Sequence, residues 1–108
     1  VYENNMQRAK LSHQAADAYR EKLGWGKREV MVDVDGTPRR LDIADVATRR
    51  GVEHKKGYVS RTEDVLSELD RDAKLVKKGW QIEWVFEGTA SKPLLEALQA
   101  AKITYKFI

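Results

Sequence analysis

The chain has 108 residues, of which 42% are hydrophobic and 34% are charged. This length and balance are typical of one folded domain and exclude a disordered chain or two ordinary domains. The net charge is only +3, no apolar run approaches the roughly 20 residues that span a bilayer, and the absence of cysteine excludes disulfides and thiolate metal sites. Any metal would be held by carboxylate, imidazole or carbonyl groups, which favours Mg²⁺ or Mn²⁺.

Helical and strand patterns alternate along the chain. Apolar residues spaced three and four apart predict helices, alternating or β-branched runs predict strands, and glycines or Asp-Gly mark the turns. The predicted elements are a helix from about Asn5 to Leu23, strands Val30–Val34, Arg39–Val46 and Val52–Lys56, a helix from about Arg61 to Lys78, a strand Trp80–Phe86, a helix from the N-cap Ser91 to Ala101, and a strand Ile103–Phe107. This order, α-β-β-β-α-β-α-β, predicts an α/β (mixed α+β) fold in which helices cover a mixed five-stranded sheet, with residues 1–108 as a single domain.

The second and third strands carry the residues best suited to chemistry. A turn with an even number of residues, centred near Thr48, would place Asp42 opposite Lys55. Glu53 would then lie opposite Ala44. Because opposed residues project from the same face, we expect Asp42, Glu53 and Lys55 to converge. A shift of register by one residue would destroy that arrangement.

Such a convergence suits the hydrolysis of a phosphodiester. The carboxylates of Asp42 and Glu53 can hold Mg²⁺ or Mn²⁺ against the scissile phosphate, where the metal lowers the pKa of bound water and acts as a Lewis acid. The Lys55 ammonium can orient that water or stabilise the charge that develops in the transition state.

An aspartate in one strand followed by Glu-x-Lys in the next resembles the signature of the PD-(D/E)xK nucleases. The chain is similar to the restriction-endonuclease-fold toxin domains at the C-termini of bacterial polymorphic and contact-dependent inhibition toxins. The similarity covers roughly residues 39–108 and has these features: Arg40-Leu41-Asp42, Glu53-His54-Lys55 leading to Gly57, Asp72, Trp84-Val85-Phe86, Leu94-Leu95 and Ile103-Thr104-Tyr105.

The resemblance implies a three-layer α/β/α core and a divalent-metal-dependent endonuclease that cuts DNA, with Mg²⁺ or Mn²⁺, or another divalent metal such as Zn²⁺, as cofactor. It also implies an interbacterial toxin, secreted within a larger bacterial protein, active in the target-cell cytoplasm and neutralised by a cognate immunity protein. Because the chain begins with Val1, we expect it to be the C-terminal part of such a protein.

Family members often add a carboxylate from the first helix, and Glu21 is the expected residue. Glu29 is a rival, because a two-residue turn at Asp35-Gly36 would place it opposite Asp42. Asp33 and Asp35 are an alternative metal pair, although the turn explains Asp35 without any function.

Basic residues that suit phosphate contact cluster in the sequence. Those expected to bind nucleic acid are Arg49, Arg50, Lys56, Arg61 and Lys74. RNA or transfer RNA remains an alternative substrate, because phosphate contacts carry no information about the sugar.

Two other functions stay open at this point. One is a metal-independent ribonuclease that uses His54 and Lys55 as acid and base. The other is a non-catalytic nucleic-acid-binding module. In it the basic residues bind the phosphate backbone of the nucleic acid, and the carboxylates are structural counter-charges.

Overall fold

The computed structural model describes the backbone of residues 2–108 and the side chains of residues 10–108, so Val1 lies outside the described residues. The elements are α1 (Tyr2–Leu23), β1 (Lys27–Val34), β2 (Thr37–Asp45), β3 (Arg50–Val59), α2 (Glu63–Lys77), β4 (Gln81–Ala90), α3 (Lys92–Ala100) and β5 (Thr104–Phe107). They form a five-stranded sheet in the order β1-β2-β3-β4-β5. The hairpins β1–β2 and β2–β3 are antiparallel, and β3–β4 and β4–β5 are parallel. The predicted fold class and element order are confirmed.

Local signals begin the second and third helices. The Thr62 side chain accepts the Val65 N–H at the start of α2 (3.3 Å), and the Ser91 side chain accepts the Leu94 N–H at the start of α3 (3.3 Å). Each cap satisfies a backbone donor that has no partner inside its helix. Both helices follow a parallel strand and return the chain to the opposite end of the sheet.

The sheet has a buried core on each face, which gives the three layers. Side chains of Leu41, Trp84, Phe86 and the apolar residues of α2 and α3 form the larger core. On the other face, Tyr19 of α1 packs with Ile43, Val52 and Val85 of the sheet. Trp84 and Phe86 are fully buried, so they belong to the core rather than to a base-stacking surface. None of the helices described, over residues 2–108, is long and apolar enough to cross a membrane.

Strands β2 and β3 stay together for only part of their length. They pair through Ile43, Ala44 and Asp45, whereas β1 and β2 pair from the base of their hairpin to its tip. From Asp42 towards the hairpin tip, β2 no longer pairs with β3. At the tip, Asp35 Oδ1 lies 2.5 Å from Nζ of Lys78, which follows α2. We call the gap that opens between β2 and β3 at Asp42 the fork.

The predicted register between β2 and β3 is wrong by two residues. Ala44 pairs with Gly51, and not with Glu53. The cause is the turn, which occupies residues 46–49 and closes through the Arg49 N–H on the Val46 carbonyl (3.3 Å), with Arg49 at φ 55°. Because side chains alternate with a period of two, a shift of two residues leaves the paired residues of β2, Ile43 to Asp45, on their predicted faces. Leu41, however, packs in the larger core and Ile43 in the smaller core on the other face, so the alternation of β2 is interrupted at Asp42.

Candidate active site

Asp42 lies in the fork, where β2 separates from β3. Its Oδ2 accepts the backbone N–H of His54 at 2.8 Å, so the carboxylate takes the place of the strand partner that β3 lacks there. On the other side, Arg28 Nη1 donates to the Asp42 carbonyl at 2.5 Å. These contacts from two neighbouring strands fix the carboxylate beside the middle of β3.

Glu53 and Lys55 alternate along β3 and therefore project from one face of the sheet. Lys55 Nζ lies 3.0 Å from Glu53 Oε2. Glu53 is only 4% exposed, whereas the Lys55 side chain is 18% exposed, so the lysine faces the opening and the glutamate lies behind it. The structure thus brings Glu53 and Lys55 into contact and places Asp42 next to them in the fork.

Two further charged residues join this group, and the strand pattern did not predict either. Glu68 of α2 accepts hydrogen bonds from Lys55 Nζ with both of its oxygens, each at 3.0 Å. Arg39 of β2 lies 3.3 Å from Glu53 and 3.6 Å from Glu68. A sequence signal for Glu68 did exist, because it precedes Asp72 by one helical turn on the same predicted helix.

Asp72 anchors the buried side of the group. It is fully buried and accepts hydrogen bonds from Arg39 Nε (2.9 Å) and Nη2 (3.1 Å). The indole N–H of Trp84 donates to the same carboxylate at 2.9 Å. Such paired, charge-assisted bonds hold the Arg39 guanidinium in one orientation, facing Glu53 and Glu68.

The surroundings shift the pKa values of the site in different directions. Burial raises the pKa of Glu53 well above its ordinary value, with the hydrogen bond to Glu68 and the charge of Asp42 acting the same way. Burial acts against ionisation of Glu68 too, but the hydrogen bond with Glu53 and the charge of Lys55 outweigh it and lower the pKa of Glu68. The pKa of Lys55 is raised, because the neighbouring carboxylates outweigh the effect of its own burial.

The site carries more negative than positive charge when all its groups are ionised. Four carboxylates, Asp42, Glu53, Glu68 and Asp72, face two cations, Arg39 and Lys55, which leaves a formal charge of −2. A divalent cation would neutralise that excess, and carboxylate oxygens are ligands that Mg²⁺ and Mn²⁺ favour.

The neighbours of the Glu53 carboxylate satisfy only part of its hydrogen-bonding capacity. Glu53 Oε1 is buried and has no hydrogen-bond partner among the described residues, since the nearby Arg39 nitrogen does not have hydrogen-bond geometry. A buried carboxylate oxygen without a partner is costly. Within the part of the chain that the structure describes, no group of three or more His, Asp or Glu residues is placed so that it could hold a metal ion by itself. Mg²⁺ commonly uses only one or two protein carboxylates together with water and substrate phosphate, so Asp42 and Glu53 fit that pattern.

The structure does not bring Glu21 or Glu29 to this group. Glu21 lines a cavity of about 650 Å³ on the α1 face, together with Tyr19 and Glu87. Arg28 pairs with Ile43 and Val30 pairs with Leu41, so Glu29 lies opposite Asp42, as the predicted register of the hairpin requires. Its φ of 54°, however, turns the residue out of the regular strand, and its carboxylate contacts His13 at 3.0 Å.

The alternative pair, Asp33 and Asp35, has structural roles at the hairpin tip. Asp33 Oδ2 accepts the Gly36 N–H at 3.3 Å, which closes the turn. Asp35 forms the ion pair with Lys78, and the pKa of Asp35 is lowered by that hydrogen bond and charge.

His54 projects from the face opposite Lys55. Its ring packs on Tyr19, with centroids 5.8 Å apart, and its Nε2 lies 3.1 Å from Glu87. The His54 side chain is 1% exposed. A metal-independent mechanism that needs His54 and Lys55 at the same phosphate therefore gains no support from their placement.

The basic residues proposed for nucleic-acid contact do not form one patch. Arg49 and Arg50 lie at the start of β3, whereas Lys56 and Arg61 lie near or beyond its other end. With a rise of about 3.3 Å per residue, Arg50 and Lys56 are roughly 20 Å apart along the strand. Lys74 lies on α2, 3.7 Å from Asp70. Lys56 follows Lys55 in the chain but projects from the opposite face of the sheet, where its Nζ lies 3.6 Å from Glu87.

Comparison with known proteins adds the fold and no function. No protein-family model and no curated protein matches the chain. Among solved structures, the chain is similar to AF1548, a protein of unknown function, with 18% sequence identity and a TM-score of 0.65. The similarity covers 90% of this chain and 58% of that protein, so the chain spans little more than half of its length. At this identity the likeness shows the fold alone.

Proposed function

We propose that this domain is a divalent-metal-dependent nuclease of the PD-(D/E)xK type that hydrolyses phosphodiester bonds, with DNA as the preferred substrate. The observation that supports this most directly is the placement of Asp42 in the fork, bonded to the backbone of the residue between Glu53 and Lys55. This bond supports the proposal because it puts the Asp42 carboxylate beside the stretch of β3 that carries the ion pair of Glu53 and Lys55.

Each residue has a distinct task in this proposal. Asp42 and Glu53 hold the metal, and Arg39 keeps the Glu53 carboxylate in place from the buried side. When bound, Mg²⁺ or Mn²⁺ supplies Lewis acidity and lowers the pKa of its water. Lys55, the more exposed of the two β3 residues, offers a fixed positive charge to the phosphate oxygens as negative charge gathers on them.

The substrate is assigned to DNA through the resemblance to metal-dependent nucleases of this type. Arg61 follows β3 at the end nearer Lys55 and suits contact with a phosphate beside the scissile bond. Lys56 projects from the opposite face, where its Nζ lies 3.6 Å from Glu87, so its contact with the backbone stays a prediction from the sequence. Such contacts position a backbone without identifying its sugar, so RNA is the alternative substrate.

The biological role proposed here also rests on the resemblance. In that role the domain is the nuclease effector of a secreted bacterial toxin, it acts in the cytoplasm of the target cell, and a cognate immunity protein neutralises it in the producer.

A cleavage assay tests the proposal. Plasmid DNA and total RNA are incubated with wild-type protein and with Asp42→Asn, in Mg²⁺, in Mn²⁺ and in EDTA. The asparagine keeps an oxygen that can accept the His54 N–H, but it removes the charge that holds the metal. The matched control is Asp45→Asn on the same strand, because the Asp45 side chain only caps the Ala47 N–H of the turn (3.0 Å).

We expect metal-dependent cleavage by wild type and by Asp45→Asn, and loss of cleavage in EDTA and in Asp42→Asn. Full activity in EDTA, or in Asp42→Asn, would contradict the proposed mechanism. Protein that binds nucleic acid but leaves it intact in every metal would instead indicate a binding module.

A further inference from the structure

We propose that Glu68 is a positioning residue that holds the Lys55 ammonium in place for the nuclease reaction, an inference that rests on the proposed function. The two Glu68 oxygens each lie 3.0 Å from Lys55 Nζ, and Glu53 lies 3.0 Å from the same nitrogen on its other side. No other residue of α2 makes a described ion pair with Lys55.

A lysine needs such support to act as a fixed charge. Its ammonium sits on a flexible four-carbon stem and carries three donors that rotate freely. Glu53 alone would let the ammonium swing about a single contact. Glu68 adds a second contact from a different element, and the Trp84 ring, 5.4 Å from Nζ, limits movement towards the core.

Glu68 is itself held by the buried charges behind it. Arg39 Nη1 lies 3.6 Å from Glu68 Oε2, and Arg39 is in turn fixed by its two hydrogen bonds to Asp72. Asp72 and Glu68 are one helical turn apart on α2. The packing of α2 on the sheet therefore determines the position of the Lys55 ammonium.

This arrangement assigns Glu68 an indirect role. Its contacts are to Lys55, Glu53 and Arg39, so it acts on the reaction by orienting Lys55. Loss of the Glu68 charge should lower kcat and leave KM almost unchanged, because the residues proposed to bind the nucleic-acid backbone remain in place. Loss of residues that orient the ligands of a metal typically reduces metal affinity or activity by about 10- to 100-fold, and we expect a reduction of the same order when the residue that orients Lys55 is lost.

The test uses Glu68→Gln, Glu68→Asp and, as the matched control on the same helix, Asp70→Asn, whose one ion pair is with exposed Lys74. The kinetic arm measures kcat and KM for cleavage of one DNA substrate in Mg²⁺. The second arm records the proton–nitrogen NMR signal of the Lys55 ammonium in the intact protein without metal. That signal is sharp only when ion pairs slow proton exchange and restrict the side chain.

We expect Glu68→Gln to lower kcat by about 10- to 100-fold, to leave KM within about twofold, and to broaden the Lys55 signal beyond detection. Glu68→Asp should recover part of kcat and part of the signal, and Asp70→Asn should match wild type in both. If Glu68→Gln does not fold, Glu68→Asp is compared with wild type instead, and we expect it to lose part of kcat and part of the Lys55 signal. Unchanged kcat together with a sharp Lys55 signal in Glu68→Gln would overturn the inference.

The two proposals fail in different ways. Wild-type protein that cleaves no nucleic acid overturns the proposed function. In that case a broadened Lys55 signal in Glu68→Gln still supports the positioning of Lys55 by Glu68, and a sharp one overturns it.

Discussion

Replacing Asp72 by alanine would remove the anion on the buried side of the site. Asp72 is fully buried and Arg39 is 4% exposed, so water does not replace the lost partner. The substitution takes away the acceptor of two Arg39 hydrogen bonds and of the Trp84 indole N–H. Arg39 Nε and Nη2 and the Trp84 indole N–H would lose their acceptor, while Arg39 Nη1 would keep its hydrogen bond to the Arg40 carbonyl (2.7 Å).

The expected cost follows from these contacts. Removing one partner of a buried ion pair costs about 3–5 kcal/mol, and leaving a buried neutral donor unpaired costs about 1–3 kcal/mol. Glu53 at 3.3 Å and Glu68 at 3.6 Å stay beside Arg39 and compensate part of its charge. We therefore expect Asp72→Ala to lower the free energy of unfolding by about 4 kcal/mol. That is a large part of the roughly 5–15 kcal/mol typical of a domain.

Urea denaturation followed by tryptophan fluorescence, in EDTA at neutral pH, measures this loss. The midpoint should fall by more than about 1 M urea. Asp70→Ala is the matched control, because Asp70 is 71% exposed and contacts only the exposed Lys74; its midpoint should stay at the wild-type value. A loss below about 1 kcal/mol in Asp72→Ala would refute the reasoning, since it would mean that Arg39 does not depend on this partner.

Three further outcomes follow from the site. Asp42→Ala should lose about 1–3 kcal/mol of stability in urea titrations, because a strand N–H loses its acceptor, whereas Asp42→Asn should lose much less; equal losses would contradict the capping role. Burial is the main reason that the pKa of Glu53 is raised, so the folded protein holds a proton that the unfolded chain releases. In the absence of metal, the free energy of unfolding should therefore fall as the pH rises above the ordinary pKa of a glutamate. Glu53→Gln should reduce that fall, and an unchanged pH dependence would show that Glu53 is not its source. Arg61→Ala should reduce the slope of log affinity for DNA against log salt concentration by about 1. Arg49→Ala, at the other end of β3, and Lys56→Ala, on the opposite face, should leave that slope unchanged. A reduced slope in Arg49→Ala and not in Arg61→Ala, in a fluorescence-anisotropy titration, would place the nucleic acid at the other end of β3.

The order of the elements could be predicted because their boundaries have local signals. Asp35-Gly36 specifies a two-residue turn, and the resulting pairing of Val34 with Thr37 confirms the predicted β1–β2 register. The Ser91 cap acts in the same way for α3. Turn and cap signals involve only a few neighbouring residues, so they can be recognised in the sequence without knowledge of the rest of the fold.

The β2–β3 register could not be predicted, because its turn has no such local signal. It depends on Arg49 adopting a left-handed backbone conformation, which few non-glycine residues adopt and which nothing in the adjacent sequence indicates. The length of β3 was also underestimated, since β3 runs from Arg50 to Val59. Its extra residues are held by parallel pairing with β4, a partner that comes later in the chain.

The buried ion pair of Arg39 and Asp72 could not be predicted from sequence patterns. Arg39 and Asp72 are separated by 33 positions and come from a strand and a helix. Arg39 reads as an exposed residue near a hairpin, and only the departure of β2 from β3 turns it towards α2. Glu68 likewise gains its role from Lys55, which lies 13 positions away on another element.

Anomalous diffraction from crystals soaked in Mn²⁺ would locate the proposed metal without relying on activity. We expect a manganese peak about 2.0–2.3 Å from carboxylate oxygens of both Asp42 and Glu53, and no peak at that position in Asp42→Asn. A peak at Asp33 and Asp35 instead, or no peak in the fork at saturating Mn²⁺, would contradict this expectation.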